Sequence, residues 1–327
     1  MKAIYFEKTG DASDVLIFAE RNVPEVGPGE VLVRLHASGV NPSDVKKRAG
    51  LQAPGFVDGF VIPHSDGAGV IEAVGVGVSK HRIGERVWVY QAQFSRHMGT
   101  AAEYIVVPTE RASYLPDEAS FEVGACLGIP VMTAHRCVHL QAGVKAENVL
   151  VTGASGRVGY YAVQWAKLAG ANVIGTAGSS ERAEIAKDSG ADLVLDYRAD
   201  NVAEAAMDFT DGAGVDRIID VEFGMNVNDS AQMLKVNGVI ASYSSSKMPE
   251  PVIPFYPLMF KNIALRTVLV YNMPERAKKT AMNDISNALE HQQLRHRIAQ
   301  QYSLKDTAKA HEAIERGGLD GCVTVSM

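Results

Sequence analysis

The chain has 327 residues, of which 46% are hydrophobic and 21% are charged. This composition excludes extended disorder, and the length exceeds what one hydrophobic core usually supports, so we expect two domains. A net charge of −6 without a basic run argues against a nucleic-acid-binding surface.

Cysteine content and the N-terminus bear on location. The three cysteines, Cys126, Cys137 and Cys322, are sparse and odd in number, which favours a reducing compartment without a disulfide framework. The N-terminus has no signal-peptide pattern, and no apolar run reaches the ~18 residues that a membrane helix needs. We therefore expect a cytoplasmic protein that has no membrane partner.

The first third of the chain is rich in strand patterns. Residues 31–35 follow a turn cluster at 27–30, and residues 86–90 and 103–107 are further short runs of β-branched residues. Glycines recur between them, as is usual where strands bend sharply. This region is predicted to be a twisted, barrel-like β domain.

Near residue 122 the pattern changes. A short apolar strand at 148–152 is followed by a glycine loop and by a helix from about residue 158. Further strands are predicted in alternation with helices, at 172–176, 193–196, 215–221 and 239–243. Such alternation indicates βαβ units and a doubly wound parallel sheet with right-handed crossovers.

Prolines from residue 249 onward mark the exit from this region. A strand is predicted at 265–271, a helix from Pro274, another helix at 305–316 and a closing strand at 322–325. The fold class is therefore α/β. The predicted division is a β-rich domain over 1–122, a Rossmann domain over 123–265, and a return to the first domain over 266–327.

A glycine-rich loop joins the strand at 148–152 to the next helix. Gly153, Gly156 and Gly159 form a G-x-x-G-x-x-G pattern, in which glycine permits a tight turn and a close approach to a pyrophosphate. The helix N-terminus then offers N–H groups and a positive dipole to the phosphates. The loop residues Ser155, Arg157 and Val158 join the glycines in the predicted cofactor site, although Arg157 could equally point to solvent.

The residues after the second strand favour NADPH over NADH. An NAD site usually carries an acid about 20 residues beyond the loop, but no acidic residue lies between 153 and 180. Ser179, Ser180 and Arg182 instead offer donors and a cation to a 2′-phosphate. Arg182 could alternatively pair with neighbours on an exposed helix. Tyr197 could close over the adenine or serve packing.

Several motifs together resemble the quinone oxidoreductase and zeta-crystallin branch of the medium-chain dehydrogenases/reductases. The matches besides the glycine loop are Gly39-Val40-Asn41-Pro42, Arg48-Ala49-Gly50, Asp66-Gly67-Ala68-Gly69-Val70, Gly84-Glu85-Arg86-Val87, Thr100-Ala101-Ala102-Glu103-Tyr104, Gly128-Ile129-Pro130 and Thr133-Ala134. The resemblance covers essentially the whole chain. It implies a GroES-like catalytic domain, a Rossmann domain, NADPH, and a quinone or related conjugated carbonyl as acceptor.

The same resemblance bears on metal binding. Zinc-dependent relatives have a Cys where this chain has Asn41, and a His followed by Glu where it has Ser65 and Asp66. Asn and Ser are poor zinc ligands, so we expect no metal. An unusual site built from His64, Asp44 and Asp66 is the remaining alternative.

The resemblance also assigns roles to individual residues. Asn41 is expected near the nicotinamide ribose or the substrate, and Lys46 stands where the family often has a substrate-facing Tyr. Lys46 could stabilise an enolate, contact the cofactor or lie in a solvated basic patch. By resemblance, further cofactor contacts are expected at Leu269, Val270 and Tyr271 and at Thr133, whose hydroxyl could alternatively bond its own helix backbone. Ser242, Tyr243 and Ser244 follow the C-terminal end of a strand, where doubly wound sheets bind ligands, and are expected to contact the cofactor. Tyr90, Phe94 and Phe260 could line either an aromatic or an aliphatic acceptor pocket.

Together these observations predict NADPH-dependent, metal-free reduction of quinones. The resemblance also implies a homodimer that pairs through an edge strand of the Rossmann domain, here the strand at 265–271. One alternative on the same scaffold is an alkenal, enone or enoyl reductase. A second is an NADPH-binding redox sensor or structural protein without turnover, and a third is a zinc alcohol dehydrogenase.

Overall fold

The computed structural model describes residues 1–52, 59–141 and 143–327. These residues form two compact units, one of Met1–Ile129 with Met282–Met327 and one of Pro130–Ala281. The first unit contains both ends of the chain. It divides from the second after residues 129 and 281, whereas the sequence placed the divisions after 122 and 265.

The described ranges contain strands and helices that alternate regularly only from residue 148 to residue 260. The strands are β1 Lys2–Tyr5, β2 Ile17–Glu20, β3 Glu30–Val40, β4 Asp66–Val74, β5 Arg86–Val89, β6 Tyr104–Pro108, β7 Ala112–Tyr114, β8 Asn148–Val151, β9 Asn172–Ala177, β10 Leu193–Asp196, β11 Val215–Asp220, β12 Leu234–Ser242, β13 Ala264–Thr267, β14 Ile298–Ser303 and β15 Cys322–Ser326. The α-helices are α1 Ala12–Val15, α2 Pro42–Arg48, α3 Phe121–Gly124, α4 Met132–Val138, α5 Arg157–Leu168, α6 Ser180–Asp188, α7 Val202–Phe209, α8 Phe223–Met233, α9 Phe255–Phe260, α10 Glu275–Glu290 and α11 Thr307–Arg316. A π-turn lies at Leu127–Val131, and 3₁₀ turns lie at Lys80–Arg82, Thr109–Arg111, Val270–Asn272 and Leu304–Asp306.

The first unit is built on a mostly antiparallel sheet. Its strands follow the order β14-β15-β3-β4-β5-β7, and β6 pairs with β3. Alternate residues of β3 and its neighbours pack inward, including Val31, Val33 and Ile71. Because Gly39 pairs with Asp66, the end of β3 and the start of β4 lie side by side. This register brings Asn41 close to Asp66.

The second unit is a doubly wound α/β domain. Its sheet is parallel throughout the described strands, in the order β10-β9-β8-β11-β12-β13. Apolar residues of the central strands, such as Leu150, Ile174 and Ile218, are fully buried in its core. The strand order reverses between β8 and β11, which is where such sheets bind ligands. The predicted fold class is confirmed.

One predicted strand is shorter in the structure. The sequence indicated a strand over 265–271, but β13 ends at Thr267 and residues 270–272 form a 3₁₀ turn. The reason is that β12 ends at Ser242, whose carbonyl accepts the last bond from Val268 N at 2.7 Å. Beyond this point no described strand pairs with residues 268–271. Among the described residues, no helix combines the length and the apolar character needed to cross a membrane.

Candidate functional site

The glycine loop at 153–159, here called the phosphate loop, follows β8 at the point where the strand order reverses. Gly153 has φ 62°, a left-handed conformation that glycine adopts without strain. A Cβ on Gly159 would lie 2.2 Å from Gly153 O, whereas one on Gly156 would meet nothing closer than 3.2 Å. Gly159 is thus needed for close packing of the helix, and the space beside Gly156 stays open.

Helix α5 starts directly from the phosphate loop. Gly156 is its N-cap residue, and within the described chain no side chain caps this terminus. The first N–H groups of the twelve-residue helix therefore point toward the open space beside Gly156. Such a terminus attracts anions. The geometry fits the pyrophosphate of a dinucleotide.

A buried carboxylate positions the residue that precedes the phosphate loop. Asp220 is fully buried at the end of β11, and its Oδ1 accepts bonds from Thr152 Oγ1 at 2.8 Å, Glu222 N at 2.9 Å and Asn226 Nδ2 at 2.8 Å. Thr152 Oγ1 in turn accepts from Val221 N at 2.9 Å. Thr152 and Asp220 were not predicted from the sequence. Each is a polar residue at the end of a buried apolar strand, which is the pattern that could have indicated them.

The predicted 2′-phosphate residues lie at the start of α6, after β9. Ser179 is the N-cap residue, and its hydroxyl accepts from Arg182 N at 3.4 Å. Tyr197 lies over Gly178, since a Cβ on that glycine would come within 2.7 Å of the tyrosine hydroxyl. Glu181 is exposed, and hydrogen bonds from its own backbone N–H and from the Ser179 hydroxyl lower the pKa of its carboxyl group.

The other predicted cofactor residues of this unit lie at or after the ends of β12 and β13, except Thr133, which is on α4. Tyr243 N donates to Asp220 O at 3.1 Å, and burial raises the pKa of the Tyr243 phenol well above its usual range. Ser242 Oγ donates to Ser244 O at 3.2 Å. Thr133, Val270 and Tyr271 are buried, whereas Leu269 is 54% exposed. The structure therefore brings Tyr243 to the same sheet edge as the phosphate loop.

In the first unit, Asn41 and Asp66 form a buried pair. Asn41 Nδ2 donates to Asp66 Oδ2 at 2.9 Å, and Ile129 N donates to the same oxygen at 2.8 Å. Asn41 N also donates to Asp44 Oδ2 at 2.8 Å, which ties the amide to the first turn of α2. Burial raises the pKa of the Asp66 carboxyl group well above its usual range, and these two N–H donors oppose that rise.

The zinc slot of the related dehydrogenases holds donors that do not fit zinc. Asn41 contributes a carboxamide already bonded to Asp66, and Ser65 contributes a hydroxyl. His64 does not supply the missing imidazole, because Nδ1 lies 2.8 Å from Ser38 Oγ and Nε2 lies 2.9 Å from His311 Nε2. Both ring nitrogens are therefore engaged within the protein, and we derive no metal-dependent step from this site.

The predicted substrate residues have different surroundings. Phe94 is half-buried. Tyr90, by contrast, is 2% exposed, packs on Trp88 and donates its hydroxyl to Glu110 O at 2.9 Å. Phe260 is 74% exposed on α9, where it stacks on Tyr256. Tyr90 thus packs in the core of the first unit, and Phe260 is exposed on the surface of the second.

Helix α2 carries two lysines, and Lys47 bonds the loop after β5. Lys46 and Lys47 are both half-buried. Lys47 Nζ donates to Gln93 Oε1 at 2.5 Å, and burial lowers the pKa of its ammonium group. Sequence reasoning missed Lys47 because the family motif draws attention to position 46.

Comparisons with known proteins agree with this architecture. Residues 27–117 match the alcohol dehydrogenase GroES-like domain family, and residues 158–287 match the zinc-binding dehydrogenase family. The chain is 32% identical to a quinone oxidoreductase of Pongo abelii over 97% of this chain and 94% of the relative.

Solved structures resemble the whole chain. One is the Escherichia coli quinone oxidoreductase complexed with NADPH, with 26% identity, a TM-score of 0.87 and complete coverage of both chains. Another is an NAD-dependent alcohol dehydrogenase, with 28% identity, a TM-score of 0.89 and the same coverage. The predicted resemblance is confirmed: the chain is an oxidoreductase that belongs to the quinone oxidoreductase family of the medium-chain dehydrogenases/reductases.

Proposed function

We propose that this protein reduces quinones with NADPH and without a metal ion. The observation that carries the proposal is the phosphate loop, whose uncapped helix terminus and open Gly156 are suited to a dinucleotide. The quinone oxidoreductases among the relatives, one of them in complex with NADPH, support the choice of cofactor and acceptor.

The second unit supplies the residues that would hold NADPH. The phosphate loop would bind the pyrophosphate, Ser179, Ser180 and Arg182 the 2′-phosphate, and Tyr197 the adenine. Tyr243, at the same sheet edge, is one further candidate contact. When bound, NADPH supplies a hydride from C4 of its nicotinamide.

The acceptor chemistry follows from the donors in the first unit. A quinone is already an activated electrophile, so its reduction needs hydrogen-bond donors for the developing oxygen charge rather than a Lewis acid. Asn41 is fixed by Asp66 and Asp44 and is the preorganised polar group of this region. Its carboxamide is our candidate for orienting the acceptor.

Cofactor preference is expected to depend on two adjacent side chains. Arg182→Ala should weaken NADPH binding about 10- to 100-fold, the value of a charge-assisted hydrogen bond, and leave NADH binding nearly unchanged. Glu181→Gln should strengthen NADPH binding selectively, because the Glu181 carboxylate accepts from the serine hydroxyls that a phosphate would use. Titration of cofactor fluorescence measures both. Equal effects on NADPH and NADH would contradict this assignment.

An acceptor panel tests the proposed function. NADPH oxidation would be followed at about 340 nm with ortho- and para-quinones, an alkenal and an enoyl thioester, with NADH and a chelator as controls. We expect quinone turnover that prefers NADPH and survives chelation. Turnover of only the alkenal or the thioester would reassign the enzyme to ene reduction, and bound NADPH without any turnover would favour a sensor.

We further propose that the protein is a homodimer. Strand β13 pairs only with β12 among the described strands, and Leu265 on it is 42% exposed. Phe255, Tyr256 and Phe260 of α9 form an exposed aromatic cluster in the same unit. Covering an edge strand and such a surface protects both from promiscuous pairing.

Sedimentation velocity tests the assembly. We expect a particle of twice the 35.1 kDa chain mass, and Phe260→Glu should shift it toward the monomer. A wild-type protein that remains a monomer at micromolar concentration would refute the dimer.

A further inference from the structure

We propose that Lys47 is the proton donor of the reaction, held for this role by Gln93. The inference rests on the proposed reduction and names the residue that completes it. It concerns α2 and the loop at 90–96, which follows β5 in the same unit.

The ammonium group of Lys47 is held in a defined position. Nζ donates to Gln93 Oε1 at 2.5 Å, and Gln93 is 3% exposed. Gln93 Nε2 donates to Arg96 O at 2.9 Å, which fixes the amide with its oxygen toward the lysine. A flexible lysine side chain is thereby ordered by a buried acceptor, whereas a solvated lysine would sample many rotamers.

In the loop at 90–96, residues before and after Gln93 have strained backbone conformations. Gln91 has φ 54° and Ser95 has φ 56°, left-handed conformations that are costly for residues with a side chain. Ala92 N donates to Ser65 O at 3.0 Å, which connects this loop to the start of β4 beside Asp66. Strain of this kind persists where surrounding structure enforces it, and it clusters at functional sites.

Lys47 lies beside the residue that holds the proposed acceptor-orienting group. Asp44 and Lys47 are spaced three residues apart on α2 and are therefore neighbours on its surface. Asp44 Oδ2 accepts from Asn41 N at 2.8 Å at the start of the same helix. Lys46 is two residues from Asp44 and does not share this face.

The surroundings make Lys47 a better acid than an exposed lysine. Burial is the main cause that lowers the pKa of its ammonium group, and the Asp44 carboxylate on the same helix partly offsets it. The loop at 90–96 presents the neutral Gln93 amide to the ammonium group. A proton donor works best when its pKa lies near the working pH.

The proposed step transfers one proton from Lys47 to the acceptor. After an acceptor has received a hydride, its oxygen carries a negative charge. One N–H bond of the Lys47 ammonium group breaks, an O–H bond forms on the acceptor, and Lys47 is left as a neutral amine. Solvent then returns a proton to the amine, so no further reductant or oxidant is consumed.

Three variants and a surface control separate the possibilities. Lys47→Met should lower kcat about 100-fold, within the range for general acid catalysis, and leave the Kd for NADPH within about twofold. In the wild type, kcat should fall as pH rises through the pKa of Lys47, because the ammonium form is lost. Lys47→Arg should be about as slow as Lys47→Met and should lack the alkaline decline, since a guanidinium stays charged and does not release its proton. Lys46→Met tests the neighbouring lysine, and Lys80→Met removes an exposed charge from the same unit as a control.

A direct titration adds a readout that is independent of turnover. In cofactor-free protein labelled with ¹⁵N-lysine, one NMR resonance should titrate below the usual value of about 10.4 and be missing in Lys47→Arg. The role of Lys47 would be overturned if the resonance missing in Lys47→Arg titrated at the usual value. It would also be overturned if the alkaline decline of kcat persisted in Lys47→Arg or disappeared in Lys46→Met. Absence of wild-type turnover with every acceptor would instead refute the reduction itself, and the proton step with it.

Discussion

Gly156→Ala is expected to weaken NADPH binding about 10- to 100-fold while the folded state keeps its stability. The added methyl group would occupy the open space that we assign to the pyrophosphate, and it would cost one or two charge-assisted hydrogen bonds from the α5 terminus. Within the free protein its nearest neighbour would be Gly153 O at 3.2 Å, a close contact that requires the loop to give by a few tenths of an ångström. Gly156 has φ −74°, which suits alanine.

Gly159→Ala provides the contrast from the same loop. Its Cβ would lie 2.2 Å from Gly153 O, so backbone must move. We expect a loss of folding stability of about 1–3 kcal/mol, as for other overpacked sites. Cofactor fluorescence and urea unfolding separate the two effects. Unchanged NADPH affinity in Gly156→Ala would place the cofactor elsewhere.

His311→Gln is expected to make the protein less sensitive to acid. In the wild type, His311, His64, Ser38 and Thr100 form a fully buried hydrogen-bonded chain. At one end of this chain Thr100 Oγ1 donates to Asp66 O at 2.6 Å, and at the other end His311 Nδ1 has no partner among the described residues.

One arrangement of protons satisfies every donor in this chain. His311 Nε2–H donates to His64 Nε2, His64 Nδ1–H donates to Ser38 Oγ, and Ser38 donates to Thr100. The reverse arrangement would leave an N–H at His311 Nδ1 buried without a partner, which is costly. Protonating either histidine adds such an N–H together with a buried charge, so both rings are held neutral.

The pKa values give the sign of the effect. Burial lowers the pKa of His64 from 6.5 to about 3, and burial, the neighbouring His64 and Arg48 lower that of His311 well below its usual range. A histidine whose pKa is lowered on folding makes its full contribution to stability at pH values above its pKa in the unfolded chain. This stability is lost as pH falls below about 6.5, at about 1.4 kcal/mol per pH unit for each histidine.

A comparison of the wild type with His311→Gln isolates the contribution of His311 to the pH dependence of stability. Asp66 has a raised pKa and titrates in the opposite sense, but it is present in both. Glutamine keeps an N–H donor for His64 and removes one titrating ring, so the pH dependence of the unfolding free energy should be shallower by about 1.4 kcal/mol per pH unit below pH 6. Urea unfolding between pH 7 and 5 measures it. Parallel slopes would contradict the buried neutral pair.

The parts of this protein that could be predicted from sequence are those with local patterns. The strand before Gly153, the three glycines and the helix after them are contiguous, so the phosphate loop and the parallel sheet could be predicted. The sequence also placed Ser179 and Arg182 close together after the second strand, but only the structure shows that Ser179 is the N-cap residue of α6.

Features that depend on distant contacts could not be predicted. His64 and His311 are 247 positions apart, and nothing local to either residue indicates the other. Tyr90 ends a run of β-branched residues, but only the fold shows that its ring packs on Trp88. The choice of Lys47 over Lys46 depends on the rotation of α2 relative to Gln93, which a family motif does not contain.

The central claim is that this protein transfers a hydride from NADPH to a quinone without a metal ion. Its most direct test compares NADPH with its form deuterated at the transferred C4 position, using protein dialysed against chelator. We predict quinone-dependent oxidation that is slower with deuterium and unaffected by chelation. Oxidation that shows no isotope effect under single-turnover conditions, or that chelation abolishes, would contradict the account.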